Sequence, residues 1–404
     1  MLSRFRNSLI FAPKQENKIN LNDTLKPLCI LLSIVGLFPY NLKFRNQSFV
    51  IINKSVYLNL LCAVSFCLVL CSSAFMHLQH IYITHESNPM MDVFMTQINY
   101  IFEMFTLILF CIVAYVCTFL NRSKFVNILN KFAKWTDGQH SGSYKILNAI
   151  QPKVRTVMIS ITCLYIIEIM INGTRADTPW KITLCHFSLD LPQTLQFLSI
   201  GFYYVLVCML GAIISSITDH VKALTKKQPV SHCYMNVDCK ASLTLKQLEA
   251  TYIEVYEVKQ GIIKIFQASI LVTTVQSFHG IVSEMHRVYH GLVQNTFSLH
   301  ETVNCSIWCL YQIMKIYILS NCGNHLKDKI LKLGQALYNI PTQKHDMKLL
   351  AEIQHFSTLM NYYGGDLTVY GLFSIDSTLV FKVVASAIMY FIVLVQLDEK
   401  KITP

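Results

Sequence analysis

A 404-residue chain that is 53% hydrophobic and only 14% charged, with mean hydropathy +0.42, is too apolar for an ordinary soluble enzyme. The apolar residues come in blocks, and the net charge of +11 comes from basic residues between them. That placement makes the charge a signal of membrane topology, and it argues against a nucleic-acid partner.

In chain order, residues 1–24 are polar, with Arg4, Arg6, Lys14 and Lys18, and lack the apolar core of a cleavable signal peptide. Residues 28–38 are apolar but too short to span a bilayer, and Pro27 and Pro39 bracket them. They read as an interfacial or re-entrant piece packed against the rest. Seven longer apolar segments follow, at 56–77, 93–120, 154–172, 191–218, 261–283, 302–321 and 368–396. The positive-inside rule orients them. The segments on one face hold 26 of the 34 Lys/Arg and those on the other hold 5; Lys264, Lys315 and Lys382 fall in or near helices. The fold expected is an all-α integral membrane protein of seven transmembrane helices, N-terminus cytoplasmic and C-terminus extracellular. That orientation argues against a G-protein-coupled receptor, as does the lack of Asp-Arg-Tyr after the third helix and Asn-Pro-x-x-Tyr in the seventh.

Two cytoplasmic stretches have helical periodicity. After a polar, Pro229-containing excursion, Leu245, Leu248, Tyr252, Val255, Lys259 and Ile262 are spaced three and four apart, running into the fifth span. Leu350, Ile353, Phe356, Met360 and Tyr363 repeat similarly before Gly364-Gly365. These apolar faces need partners, either each other or a neighbouring subunit.

The outer half of the bundle carries Gln97, Tyr100, Glu103, Tyr165, Glu168, Gln193, Gln196, Gln276, His279, Trp308 and Gln312. Polar groups within a membrane face the bundle interior or a wet cavity, and Gln276 and His279, three apart, are expected on one face. Singly, each reads as an inter-helix hydrogen bond. Together they suit a small polyhydroxylated or aromatic ligand, which needs an aromatic platform with converging donors and acceptors. Asn172-Gly173-Thr174 is a glycosylation sequon on the outer side. Cys185 and Cys305 both lie outside, where a bridge between them is an open question. Cys233 and Cys239 with His232 are too few and too widely spaced for a metal site, and no catalytic constellation is present, so no metal, cofactor or enzyme activity is expected.

The last helix, residues 374–397, is apolar from Leu379 except for Lys382 and Gln396. Lys382, Met389 and Gln396 are seven apart and share one side. Several copies around an axis would make an apolar tube with a polar ring. A buried helix whose glutamine bonds a neighbour is the competing reading. Lys382 itself faces either a wide vestibule or a subunit interface, paired with Asp366 or Asp376.

Met389-Tyr390, five apolar residues, then Gln396-Leu397 resembles the last-helix signature of insect gustatory receptors, Thr-Tyr, five apolar residues, Gln-Phe. Met389 and Leu397 depart from it, while the Tyr390-to-Gln396 spacing is kept. The preceding Gly371-Leu372-Phe373-Ser374-Ile375-Asp376 with Thr378-Leu379, and Glu352-Ile353-Gln354-His355-Phe356-Ser357 upstream, are also similar to that family, most of all to its fructose and nutrient-receptor branch.

The resemblance implies a multi-pass plasma-membrane receptor of a gustatory neuron dendrite. It implies a ligand-gated, non-selective cation channel opened by a small tastant, a sugar or a plant secondary compound. It further implies a homotetramer, or a hetero-oligomer with related receptors, in the lipid bilayer and passing cations. Residues 1–55 would form a cytoplasmic N-terminal segment, 56–218 the ligand-sensing bundle, and 219–260 a cytoplasmic helix extension used in assembly. Residues 261–321 would carry helices five and six, 322–367 an assembly helix, and 368–397 the pore helix. Met389, Ile392, Val393, Gln396 and Lys382 would line the pore or gate, and the polar residues above would form an outer pocket. A co-receptor without its own ligand is the first alternative, and a secondary transporter the second, against which stands the lack of an internal repeat.

Overall fold

In a computed structural model, the described residues are 21–37, 42–45, 48–51, 53–84, 94–136, 143–173, 179–226, 234–293, 299–341 and 347–402. The side chains of Gln97, Tyr100 and Asn172 lie outside the description, so those three sites are not located further.

Seven long helices take up the seven expected spans: α2 (Asn53–Thr84), α3 (Phe94–Leu120), α5 (Ser143–Gly173), α7 (Leu191–Lys226), α8 (Tyr234–Val293), α9 (Leu299–Tyr338) and α11 (Ser377–Ile402). Among the described residues, five helices are long and apolar enough to cross a membrane by length and composition, in α3, α5, α7, α8 and α11. The α9 helix is more polar, and its polar face is covered by α7, α8 and α11, so it need not meet lipid there. The central helix is α7, buried on nearly every side, with α5 and α9 packed on it and α3 on α8.

Several shorter elements lie outside the spans. The apolar N-terminal piece is α1 (Leu21–Ile34), which begins before Pro27 and continues through it; Leu21, Leu25, Leu28 and Leu32 are buried, and it lies against α5. The Tyr115 hydroxyl on α3 donates to the Val35 carbonyl at 2.8 Å, fixing the end of α1. A hairpin of β1 (Leu42–Arg45) and β2 (Ser48–Ile51) follows. The linker after α3 holds α4 (Arg122–Thr136), whose Phe125, Ile128, Leu129 and Phe132 are buried. On the opposite face, α6 (Pro179–Cys185) runs through a π-helical turn at His186–Asp190 into α7.

The α8 helix starts at Tyr234, eleven residues before the first residue of the periodic stripe, Leu245. Of that stripe, Leu245, Tyr252, Val255, Lys259 and Ile262 are buried. Its partner is α10 (Met347–Tyr363), whose buried face begins at Leu349 instead of Leu350 and continues through Phe356 and Met360. Tyr252 meets Phe356 edge-on at 5.7 Å, and Tyr256 meets Tyr363 at 4.4 Å. The two amphipathic helices thus cover one another within a single chain.

The last helix begins at Ser377, three residues later than the expected start at 374. Residues 368–374 form a hairpin of β3 (Thr368–Val369) and β4 (Phe373–Ser374), turning through Tyr370 and Gly371, both at positive φ. Asp376 then caps α11: its Oδ1 accepts from the Thr378 amide at 2.9 Å and the Thr378 hydroxyl at 2.6 Å. Those bonds, the hydroxyl first, hold its carboxyl below the usual carboxylate range.

Only one stripe of α11 is buried, Leu379, Val383, Ala387 and Leu394, packed on Ile281, Val282 and Ile316. Phe381, Lys382, Ile388, Met389, Ile392, Val393 and Gln396 are exposed on the single chain.

Candidate functional site

Several of the polar residues expected to line a pocket converge where α5, α7, α8 and α9 meet, around a residue that motif reading passes over. Lys315 on α9 is fully buried. Its ammonium donates to the Oε1 atoms of Gln193, Gln196 (2.6 Å) and Gln276 (3.0 Å). An ammonium has three donors, and three amide oxygens from α7 and α8 take them all. Such a charge in a membrane bundle is tolerable only when hydrogen-bonded in this way.

Aromatic rings form one wall. Lys315 Nζ lies 5.2 Å from the Tyr311 ring centre and 5.8 Å from that of Phe197, within range of cation–π attraction. Tyr311 in turn meets Phe197 at 4.6 Å and Trp308 at 5.3 Å, edge to face in both cases. Trp308, Tyr311, Gln312 and Lys315 fall on one side of α9 because they are three, four and seven residues apart.

Glu168 on α5 supplies a carboxylate, also buried. The Thr194 hydroxyl reaches both its Oε2 (3.0 Å) and the Asp190 carbonyl (2.9 Å), and donates to one at a time. Glu103 of α3 is buried as well.

Six buried polar atoms here have no hydrogen-bond partner within bonding geometry among the described residues: Glu168 Oε1, Gln196 Nε2, Gln276 Nε2, Trp308 Nε1, the Tyr311 hydroxyl and Gln312 Oε1, the Tyr311 hydroxyl lying beside Glu168. Buried polar atoms are almost always satisfied, so this concentration marks donors and acceptors suited to a polar ligand or water. The arrangement offers two amide donors, an indole donor, an amide and a carboxylate acceptor, and an aromatic wall.

Two expected members stand apart. His279 accompanies Gln276 on α8, but its Nε2 pairs with the Asn99 carbonyl of α3 at 3.2 Å and its ring meets Phe102. The two side chains therefore serve different helix interfaces. Tyr165 meets His186 Nε2 at 3.1 Å beside the π-helical turn. Lys315, Tyr311, Phe197 and Thr194 are the members that motif reading omits. The signal for Lys315 was present in its mid-helix position and its seven-residue offset from Trp308.

Elsewhere, no disulfide joins Cys185 and Cys305. Asp366 pairs with Lys327 at 3.0 Å, and Lys382 makes no ion pair among the described residues of its own chain. No metal-binding group of His, Cys, Asp or Glu occurs among the described residues.

No curated protein sequence matches the chain. Solved structures share its fold, among them two of one receptor. The insect olfactory receptor OR5 from Machilis hrabei in complex with eugenol aligns over 93% of this chain and 98% of its own, at TM-score 0.69 and 13% identity. A second structure of the same receptor aligns over the same shares at TM-score 0.66 and 14% identity. Residues 25–401 match the family described as 7tm Chemosensory receptor. A match over nearly the whole sequence, on a seven-helix bundle of that fold, places the chain in this family: it belongs to the seven-transmembrane chemosensory receptors.

Proposed function

We propose that the protein is a gustatory-type receptor, a cation channel opened by a small tastant, assembled as a homotetramer with α11 around a central pore. The observation that carries this reading is the exposed second face of α11. Lys382, Met389 and Gln396 lie about 130° around the helix from its buried stripe, at ~100° per residue. A face with an ammonium at one end and an amide at the other is costly against lipid. Copies of the same face around an axis remove that cost by enclosing water. Met389, Ile392 and Val393 would then dewet the tube in the closed state, and Gln396 would line its outer mouth as a weakly selective ring of amides.

Lys382 lies 14 residues, or about 21 Å, from Gln396. With Asp366 engaged by Lys327 and Asp376 engaged in capping, the reading adopted is that Lys382 is hydrated in a wide inner vestibule. The N-terminus is taken as cytoplasmic, in keeping with the 26 basic residues on that face.

The ligand would bind among α5, α7, α8 and α9, at the unpartnered amide, indole and carboxylate atoms beside Lys315. It opens the pore only through a higher affinity for the open arrangement. OR5 is described in complex with eugenol, a small molecule, which supports a small-molecule site in this fold. The donors and acceptors here favour a polyol or sugar, in line with the fructose and nutrient-receptor resemblance.

The test is expression of this chain alone, with currents recorded across sugars, polyols and plant alkaloids. Ligand-evoked cation currents are expected. Silence alone, rescued by a co-expressed relative, would assign a co-receptor role, and saturable uptake without current a transporter.

A further inference from the structure

A second site lies at the opposite end of the bundle from the Lys315 cluster. Between the basic-face ends of α5, α7 and α9 is a cavity of about 190 Å³. At ~30 Å³ per water this is room for about six waters. Lys145, Lys153 and Lys329 line it, with His325 and a single carboxylate, Asp219.

The charges in it are poorly compensated. Asp219 lies 3.9 Å from Lys145, both largely exposed, so that pair is loose. Lys153, half-buried, donates to two neutral acceptors, His325 Nε2 at 3.0 Å and Cys208 Sγ at 3.4 Å. Lys329 makes no ion pair among the described residues, and its stem runs past Gly211 of α7. Two ammoniums thus face one cavity without a carboxylate of their own.

The position matters as much as the charge. Lys145, Asp219 and Lys329 lie beyond the apolar spans, whereas Cys208 and Ala212 lie within the fourth. The cavity therefore runs from the aqueous boundary into the bilayer's depth, with Ile146, Ala149 and Ile150 as an apolar wall. It opens on the face that carries most of the chain's basic residues.

We infer that this cavity binds a phosphate monoester, held by Lys153 and Lys329, as carried by a phosphoinositide headgroup or by a soluble inositol phosphate. A dianionic phosphate supplies the negative charge that neither ammonium meets in the cavity, with oxygens that accept from both. Basic pockets between membrane helices are suited to such headgroups. Under the inside-N orientation the ligand would sit in the cytoplasmic leaflet, and its binding requires neither tastant nor an open channel.

The experiment uses full-length receptor purified in detergent, with saturation binding measured by native mass spectrometry. The probes are dioctanoyl phosphatidylinositol 4,5-bisphosphate, its soluble headgroup inositol 1,4,5-trisphosphate, and dioctanoyl phosphatidylcholine. The bisphosphate lipid is expected to bind saturably, and Lys153→Gln with Lys329→Gln to weaken it at least tenfold. Lys153→Arg with Lys329→Arg should keep most of the binding. Lys131→Gln with Lys134→Gln, which removes two charges from α4, should change it less than twofold. Binding of the lipid but not the trisphosphate assigns a membrane ligand, and equal binding of both assigns the phosphate group from solution. Should the double Gln variant fail to fold, Lys329→Gln alone decides, a threefold or greater loss supporting the site and no loss overturning it. Equal binding of phosphatidylcholine, or an equal loss in the α4 control pair, would also overturn it.

Discussion

Gly323, in the interior of α9, is a position where two physical effects predict opposite signs for one substitution. By helix propensity, Gly323→Ala should stabilise the protein by up to ~1 kcal/mol. The structure opposes this. An added Cβ would lie 1.7 Å from the Ile375 carbonyl oxygen and 2.8 Å from its carbon. Ordinary contact begins near 3.4 Å, so the chain entering α11 would have to retreat by about 1.7 Å. It cannot do so freely, because the Ile375 amide donates to the Leu367 carbonyl at 2.7 Å and the next residue caps α11. Backbone stands on both sides of the contact, and overpacking of this kind costs ~1–3 kcal/mol or more.

The clash should therefore prevail, with a lower melting temperature and reduced surface labelling for Gly323→Ala. Agonist half-activation should also shift, by roughly 5- to 150-fold if 1–3 kcal/mol falls unequally on the open and closed states. Gly334→Ala on the same helix is the control. Its added Cβ meets only the mobile end of Met360, at 3.8 Å, so propensity alone should act and the melting temperature should hold or rise. If both variants behave alike, the packing of α9 against the α11 lead-in is not as described.

Four further outcomes are expected. Trp308→Ala, and to a lesser degree Gln276→Ala, should raise the agonist concentration for half-activation with surface expression retained; unchanged dose–response curves for both would move the pocket elsewhere. Lys315→Met strands three amide oxygens at ~1–3 kcal/mol each and should lower the melting temperature sharply, whereas Lys382→Met, on an exposed side chain, should not. Lys382→Gln should raise cation conductance with tetramer yield intact, and Gln396→Ala should change conductance or selectivity; a loss of tetramers in the first, or identical single-channel currents in the second, would refute the placement of the respective residue. An epitope after Pro404 should label on intact cells and one before Met1 only after permeabilisation, the reverse pattern refuting the orientation.

Much of the architecture is legible in the amino-acid order because the bilayer imposes a one-dimensional rule. A span must be apolar over about 20 residues, so seven helices can be read as seven blocks. The periodic stripes on α8 and α10 are legible for a similar reason, since a helix facing one partner must repeat at three and four residues. Where those rules fall silent, only the tertiary structure decides. Gly371 permits a turn and Asp376 a cap, but neither requires the helix to start as late as Ser377; the β3–β4 hairpin forms there with Val369 buried where β3 packs on α8. Gln276 and His279 share a helix side in projection, yet α9 takes one and α3 the other. Lys315 is the plainest case. Its three partners lie 39, 119 and 122 residues away along the chain, and no periodicity links positions so distant. The sequence determines that a charge in that helix must be satisfied. Which three glutamines satisfy it depends on how α7, α8 and α9 pack.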